Sequence, residues 1–245
     1  MLATLKNLDP DKGMILLINK PLRWTSFDVI NKLKYEIRNL TSQKKFKIGH
    51  AGTLDPLAEG LLIVCIGKYT KKIPEFQNLN KKYKGTIILG ATTKSYDLEY
   101  EPENFCSYNT INVEYVKNVF REFIGNTLQT PPVFSAVKIK GKSAFEYARR
   151  GEAVEIKPKE ISIYSLEILR FALPEIDFEI CCSKGTYIRS LVRDIGEKLE
   201  SGAYLKSLQR TAIGDFELKD ALDITPLLSE FKPVNPERKK KRFEL

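Results

Sequence analysis

The stretch Gly49-His50-Ala51-Gly52-Thr53-Leu54-Asp55-Pro56-Leu57-Ala58-Glu59-Gly60 places three glycines and an Asp-Pro pair directly before an apolar run at residues 61–66. Glycines allow tight turns and a close approach of backbone to a ligand. The proline holds the preceding aspartate outside helical geometry. The continuous apolar run is typical of a strand buried on both faces. The stretch therefore predicts a structured loop that leads into a central strand.

Asp55 is the strongest candidate for a catalytic residue in this loop, because leucines flank it on both sides. A carboxylate fixed in apolar surroundings is weakly hydrated, which suits a nucleophile or a general base. The alternative is an Asp-Pro turn in which the carboxylate only caps backbone amides. Spacing alone leaves both interpretations open.

Further elements are predicted on both sides of the loop. Strands are expected at residues 13–19, 83–89, 160–169, 175–182 and 204–213. Helices are expected after Thr25 or Ser26, at residues 113–124, and after Thr186, which can act as an N-cap. Strands interrupted irregularly by helices, with hairpin-like neighbours, favour an α+β domain on a mainly antiparallel mixed sheet flanked by helices.

Two segments differ in character from this core. Residues 127–157 carry two prolines, a cluster of basic residues and a short amphipathic stretch that Gly151 closes, which indicates an excursion from the core. Beyond residue 228 the chain turns polar and carries five cations at residues 238–242. We expect a domain over residues 1–228, with 127–157 as an insertion, and a basic tail over 229–245.

Composition limits the possible partners. Forty Lys and Arg against thirty-one Asp and Glu give a net charge of +9, which favours a polyanionic partner, although many basic proteins bind no nucleic acid. No apolar run reaches the ~18 residues of a membrane span, and no signal peptide is evident at the N-terminus, so a cytoplasmic location is expected. The four cysteines form no C-x-x-C pair and there is one histidine. Reduced structural thiols and no metal site are therefore expected.

Ordered blocks along the chain resemble one protein family. The string at residues 49–62 is similar to the catalytic motif of the TruB family of tRNA pseudouridine synthases. The resemblance covers about residues 13–228 and continues in order through these further blocks: Lys20-Pro21, Lys82-Tyr83, Leu89-Gly90, Asp97, Pro131-Pro132-x-Phe134-Ser135-Ala136-x-Lys138, Tyr147-Ala148-Arg149-x-Gly151 and Cys182-Ser183-Lys184-Gly185-Thr186-Tyr187-Ile188-Arg189.

The resemblance implies a pseudouridine synthase fold, in which residues 127–157 form a thumb-like insertion that closes on RNA. It implies isomerisation of a uridine in the T-loop of tRNA, with Asp55 as the catalytic nucleophile acting on a flipped-out base. Asp55 can attack C1′, assist elimination to a glycal, or add to C6. The reaction needs no redox change, so no cofactor and no metal are expected, and the partner is the T-arm stem-loop bound by a monomer.

The same resemblance assigns roles to further residues. Arg189 sits in the first turn of its helix, where a cation opposes the macrodipole and needs an anion, and the family pairs it with the catalytic aspartate. By the same resemblance, Tyr83 contacts the base and serves in proton transfer, and Tyr187 and Leu208 pack around that base. Asp97 is a second partner of Arg189, and the His50 side chain lies against the RNA. Lys20 supports the loop or a phosphate, and Lys184 is a further substrate-binding residue.

The chain departs from the family at its C-terminus. Members usually carry a PUA domain after the segment matching residues 222–228, whereas here a short basic tail follows. We therefore expect the full PUA domain to be lacking. The alternative functions are a non-catalytic RNA-binding or RNA-folding protein with the same fold, and a basic structural protein of the ribosome.

Overall fold

The structure is a computed structural model that describes residues 9, 12–41, 45–139 and 141–224. Its strands are β1 (Met14–Lys20), β2 (Ile48–His50), β3 (Ala58–Ile66), β4 (Lys81–Leu89), β5 (Gly125–Gln129), β6 (Lys138–Ile139), β7 (Lys142–Ser143), β8 (Lys159–Ala172), β9 (Glu175–Cys182), β10 (Ala203–Ile213), β11 (Phe216–Glu217) and β12 (Leu222–Asp223). Its α-helices are α1 (Ser26–Thr41), α2 (Ile73–Asn78), α3 (Val113–Glu122), α4 (Ala144–Arg149) and α5 (Ile188–Lys198).

One mixed sheet organises the described residues. Its strand order is β12-β1-β3-β10-β4-β9-β8-β5, with β2 added to β3 and β11 added to β10. The pairs β1–β12 and β3–β10 are parallel, and the other pairs in this sheet are antiparallel. The predicted α+β class with a mainly antiparallel mixed sheet is confirmed.

Strand β3 runs through the interior and is covered on both faces, as its apolar run predicts. Leu62, Val64 and Ile66 pack with the apolar face of α1, whereas Leu61 and Ile63 belong to a second cluster on the opposite face. A third and larger cluster joins α3 and α5 to β4, β8, β9 and β10, and Leu54 of the loop belongs to it. The loop that carries Asp55 is therefore anchored in the core immediately before that residue.

Two helix N-caps were predicted from the sequence, and the structure confirms one and corrects the other. Thr25 caps α1, because its Oγ1 accepts from the Asp28 amide at 3.0 Å and its own amide donates to the Asp28 carboxylate at 2.9 Å. The prediction that Thr186 caps the later helix was wrong. The N-cap of α5 is Tyr187, and the Thr186 hydroxyl donates instead to the Ser183 carbonyl at 3.0 Å.

The insertion forms a small unit of its own. Strands β6 and β7 pair in a separate two-stranded sheet, and α4 follows directly with a capping box between Ser143 and Glu146. Residues 127–129 lie in β5, at the edge of the main sheet, so the excursion begins after Gln129 and returns at β8. The basic tail at residues 229–245 lies outside the described residues.

Two composition-based expectations bear on the described part of the chain. All four cysteines are free thiols, with Cys65 and Cys182 buried, as expected. None of the helices in the described ranges has the length and apolar character that crossing a membrane requires.

Candidate active site

The loop around Asp55 is held by its own backbone and by α1. The Ala58 amide donates to the Asp55 carbonyl at 3.1 Å, which closes a tight turn over Pro56. The neighbouring Leu54 is held from both sides by the buried Ser26 hydroxyl, which accepts from the Leu54 amide at 2.9 Å and donates to its carbonyl at 3.2 Å. The backbone next to Asp55 is therefore fixed, while the Asp55 side chain remains 42% exposed.

Arg189 is brought to Asp55 by the first turn of α5. Its Nε donates to Oδ2 of Asp55 at 2.9 Å, and its Nη1 and Nη2 donate to the carbonyls of Ser95 and Phe134 at 3.1 and 3.0 Å. Only 6% of the Arg189 side chain is exposed. The planar guanidinium uses its separate donors in three directions, which a lysine ammonium could not reproduce in the same geometry.

Asp97 completes the cluster from the buried side. Its Oδ2 lies 3.6 Å from Arg189 Nε, and its Oδ1 accepts from the Ser95 hydroxyl and from the Glu99 amide. Burial raises the pKa of the Asp97 carboxyl, and the Arg189 cation opposes that shift. The structure thus brings together Asp55, Asp97 and Arg189, three residues that the sequence interpretation placed in one site.

A recess opens beside these charges. Leu208, which is mostly buried on β10, lines it together with Leu57, Ala58, Leu205, Lys206 and Ser207, next to Asp55, Asp97 and Arg189. The recess has a volume of about 10 Å³, which is room for about one water molecule. It adjoins a larger groove of about 410 Å³ that shares Leu57 and Leu208 with it.

Two tyrosines stand near the carboxylate. Tyr83 is buried on β4, and burial raises the pKa of its hydroxyl while Arg210 lowers it. Tyr187 is half-buried at the start of α5, where burial and the charge of Asp55 both raise its hydroxyl pKa. Both pKa values respond to the charge of Asp55, so both predicted aromatic residues lie in the electrostatic surroundings of the carboxylate.

His50 and Lys20 flank the loop from the sheet. His50 ends β2, opposite Val64, and burial and Arg210 lower the pKa of its imidazole. Lys20 ends β1 with a fully buried side chain, whose Nζ donates to the carbonyls of Pro21 and Trp24 at 3.0 and 2.6 Å. Both acceptors lie in the segment that links β1 to α1, while Gly60 is the register partner of Lys20 on β3, and the role of Lys20 stays a prediction.

Lys184 is not drawn into the Asp55 cluster. Its Nζ donates to the side chain of Asn78, the last residue of α2, at 2.7 Å, and Lys184 is exposed. The pKa of the buried Lys81 ammonium, about 8, responds to Lys184, which places Lys184 at the Lys81 end of β4. Lys184 thus lies near the start of β4, two residues after Cys182, which pairs with Lys81, and its assignment to the substrate stays a prediction.

The root of the insertion is tied to the same helix turn as Arg189. The Gln129 side chain donates to the Tyr187 carbonyl at 3.1 Å and accepts from its amide at 2.8 Å. The ring of Phe134 packs 5.1 Å from that of Tyr100, and the Phe134 carbonyl accepts from Arg189. A movement of the insertion would therefore shift the Arg189 guanidinium that holds Asp55.

The sequence interpretation missed three residues that build this site. Ser26 was considered only as a helix cap, Gln129 was read as part of the insertion, and Arg210 was passed over inside a strand. The sequence did carry a signal for Arg210. The alternation of β10 predicts that this position faces inward, where a charged residue is unusual. Within the described ranges, no group of three or more His, Cys, Asp and Glu residues could hold a metal ion.

Comparison with known proteins identifies relatives along most of the chain. The family model described as TruB family pseudouridylate synthase (N terminal domain) matches residues 38–188. The chain is 53% identical over 215 residues to tRNA pseudouridine synthase B of Flavobacterium johnsoniae, covering 87% of this chain and 94% of that protein. It is 42% identical over 231 residues to the protein of the same name from Chloroherpeton thalassium, covering 94% and 95% of the two chains.

Solved structures share the fold. A chain in the crystal structure of a Cbf5-Nop10-Gar1 complex superposes with a TM-score of 0.67 at 25% identity, covering 94% of this chain. A chain of the archaeal box H/ACA sRNP Nop10-Cbf5 complex has a TM-score of 0.63 at 23% identity. This chain spans 56% and 57% of the length of those two chains. From the family match and the identities to curated relatives, the chain belongs to the TruB family of pseudouridylate synthases.

Proposed function

We propose that this chain isomerises a uridine in the T-loop of tRNA to pseudouridine, with Asp55 as the nucleophile acting on a flipped-out base. The observation that carries the proposal is the Asp55 carboxylate, which faces a recess while Arg189 holds its Oδ2 atom at 2.9 Å. Membership of the family makes the chain a pseudouridine synthase, and relatives at 53% and 52% identity are named for tRNA. The T-loop, the T-arm and the individual residue roles are the finer part of the proposal.

The isomerisation requires a carboxylate held in a fixed orientation. The N1–C1′ bond of the uridine breaks, the uracil rotates, a C5–C1′ bond forms, and the proton on C5 leaves while N1 gains one. Arg189 fixes the orientation of the Asp55 carboxylate, so that the partly exposed group points toward the incoming base. Attack at C1′, elimination to a glycal and addition at C6 all use this carboxylate.

A uracil ring must enter from outside the present recess. A volume of about 10 Å³ is too small for the ring, so the walls must separate when RNA binds. The Phe134 carbonyl, which belongs to the insertion, accepts from Arg189, and Arg189 lines the recess. Displacement of this contact by the target nucleotide would couple closure of the insertion to the arrival of the base.

Phosphate recognition is assigned to the basic surface. The net charge of +9 favours binding to a polyanion with a strong salt dependence. We assign the insertion to the T-arm backbone, because Lys138 and Lys142 are exposed on its two short strands. The monomeric state and the cytoplasmic location stay predictions.

The test is isomerisation of a synthetic T-arm stem-loop that carries tritium at C5 of its uridines. The proposal predicts tritium release and a pseudouridine mapped to a single loop position, in buffer with excess chelator. A stem-loop with cytidine at that position is the matched control and should release nothing. Tight binding without any release would instead support the alternative of a non-catalytic RNA-binding protein.

A further inference from the structure

Arg210 is a buried cation that the proposed mechanism leaves without a role. It lies on β10, between β3 and β4, and only 1% of it is exposed. Its register partners are Gly60 on one side and Tyr83 on the other. The central strand thus places this side chain between the end of the Asp55 loop and the buried tyrosine.

The guanidinium joins separate parts of the site. Its Nε donates to the Leu61 carbonyl at 2.7 Å, and its Nη2 donates to the Gly52 carbonyl at 3.1 Å. Gly52 precedes Asp55 and Leu61 follows it, so one side chain clamps both ends of the loop. The same residue is the register partner of Tyr83 on β4, and its charge lowers the pKa of the Tyr83 hydroxyl against the effect of burial.

The local backbone is built to allow this clamp. Gly60 has a φ of +103°, and a Cβ there would lie 2.4 Å from the Arg210 carbonyl oxygen, so the two strands approach more closely than a side chain would permit. A register shift between Arg210 and Ala212 marks a bulge in β10. Bulges of this kind re-aim a side chain next to a site.

The charge of Arg210 is not balanced in the usual way. Among the ion pairs of the described residues, none joins Arg210 to an acid, and its mapped acceptors are backbone carbonyls. Burying a cation without a carboxylate is costly, which disfavours a role in stability alone. Carbonyl acceptors fix the direction of the guanidinium without neutralising it, so its charge remains available to the loop and to Tyr83.

We propose that Arg210 is a positioning residue, which clamps the Asp55 loop at Gly52 and Leu61 beside the buried Tyr83. The inference rests on the proposed function. Arg210 faces Tyr83 across the β10–β4 pair, where its positive charge favours loss of the Tyr83 hydroxyl proton. The charged groups that face Tyr83 are then Arg210 from β10 and Asp55 from the loop, with the Cys182 thiol beside it on β9.

The test compares Arg210→Lys with Val119→Ala on the T-arm stem-loop. Lysine keeps the charge, but its single nitrogen cannot span the Gly52 and Leu61 carbonyls as Nε and Nη2 of the guanidinium do, so kcat should fall about 100-fold while KM stays near the wild-type value. Val119 is buried on α3 and contributes to the core only, so its truncation should lower the melting temperature and leave kcat unchanged.

The outcomes separate the inference from the function it rests on. An inactive wild-type enzyme contradicts the proposed function, whereas an active wild type with a near-normal kcat for a folded Arg210→Lys contradicts only the positioning role. A proportional loss of kcat and folded fraction in both variants, or an Arg210→Lys chain that fails to fold where Val119→Ala folds, makes Arg210 a structural residue and also overturns the inference.

Discussion

Arg189 Nε donates a 2.9 Å hydrogen bond to Asp55 Oδ2, although 134 residues separate the two in the chain. The same nitrogen lies 3.6 Å from a carboxylate oxygen of Asp97, whose side chain is 7% exposed. One cation therefore sits between a buried acid and a partly exposed one. Asp97 and the Ser95 carbonyl hold the guanidinium from inside, so that the exposed carboxylate of Asp55 is the one oriented toward the recess.

Replacing Arg189 by lysine tests this arrangement. Arg189→Lys should lower kcat/KM about 100-fold, because an ammonium cannot serve Asp55 and two carbonyls in one geometry. Arg193→Lys on the same helix is the control, since Arg193 bonds its neighbour Asp194 and lies over the Tyr96 ring. Steady-state kinetics on the T-arm stem-loop should show the Arg193 variant near the wild type. Equal losses in the two variants would contradict the assigned role of Arg189.

The buried Lys20 predicts a particular dependence of stability on pH. Burial lowers its pKa from 10.5 to about 8. Between these values the unfolded chain binds more protons than the folded one, so stability rises with pH in that window. Relative to Lys20→Met, the wild type should gain on the order of 2 kcal/mol between pH 7 and pH 10, since one pKa unit corresponds to about 1.4 kcal/mol.

Denaturant unfolding of both chains across this pH range measures the difference. The comparison cancels the titration of Lys81, whose pKa burial also lowers to about 8. A difference between the two chains that is flat from pH 7 to pH 10 would mean that burial does not lower the pKa of Lys20.

Ser26 is predicted to act on activity through the backbone of Leu54. Ser26→Ala leaves the Leu54 amide and carbonyl without this partner, at a cost of about 1–3 kcal/mol. We expect a lower melting temperature and a lower kcat, because the residue next to Leu54 is Asp55. Ser201→Ala is the control, since Ser201 is buried as well and its hydroxyl donates to the Gly202 carbonyl beyond the end of α5. A kcat that falls equally in both variants would remove Ser26 from the site.

Much of the fold could be predicted from local pattern. The apolar residues of α1 recur at positions 30, 33, 37 and 40, and those of β9 alternate at 176, 178, 180 and 182. Such spacing depends only on which face meets the core, so the sequence reveals it. The apolar run of β3 likewise indicated burial on both faces. Helix boundaries were predicted less accurately. Thr186 has the side chain of an N-cap, but its hydroxyl donates to the Ser183 carbonyl instead.

The site was predictable where its residues sit in motifs and was missed where topology builds it. The glycine-rich loop and the cation at a helix start marked Asp55 and Arg189 as candidates, and the family resemblance placed the two in one site. Arg210 could not be found in this way, because its role depends on the order β3-β10-β4, which brings it between Gly60 and Tyr83. Lys184 lies in a matching motif and bonds Asn78 in this structure, and its assignment to the substrate stays a prediction.

The basic tail gives a prediction about affinity alone. Deleting residues 229–245 should raise the apparent Kd for every RNA tested and flatten the slope of log affinity against log salt. The value of kcat at saturating RNA should barely change, since Asp55, Tyr83 and Arg189 are retained. A full-length chain with glutamine at the five cations of residues 238–242 is the matched control for charge. An unchanged salt slope in both proteins would make the tail a solvated end.

The most direct measurement is pseudouridine formation by Asp55→Asn on the T-arm stem-loop, with RNA binding measured on the same preparation. The change is nearly isosteric and removes the charge that Arg189 holds. The account predicts a folded protein that binds the stem-loop with near wild-type affinity and forms no pseudouridine. Turnover within about ten-fold of the wild type, at comparable protein concentration, would contradict the claim that Asp55 is the nucleophile.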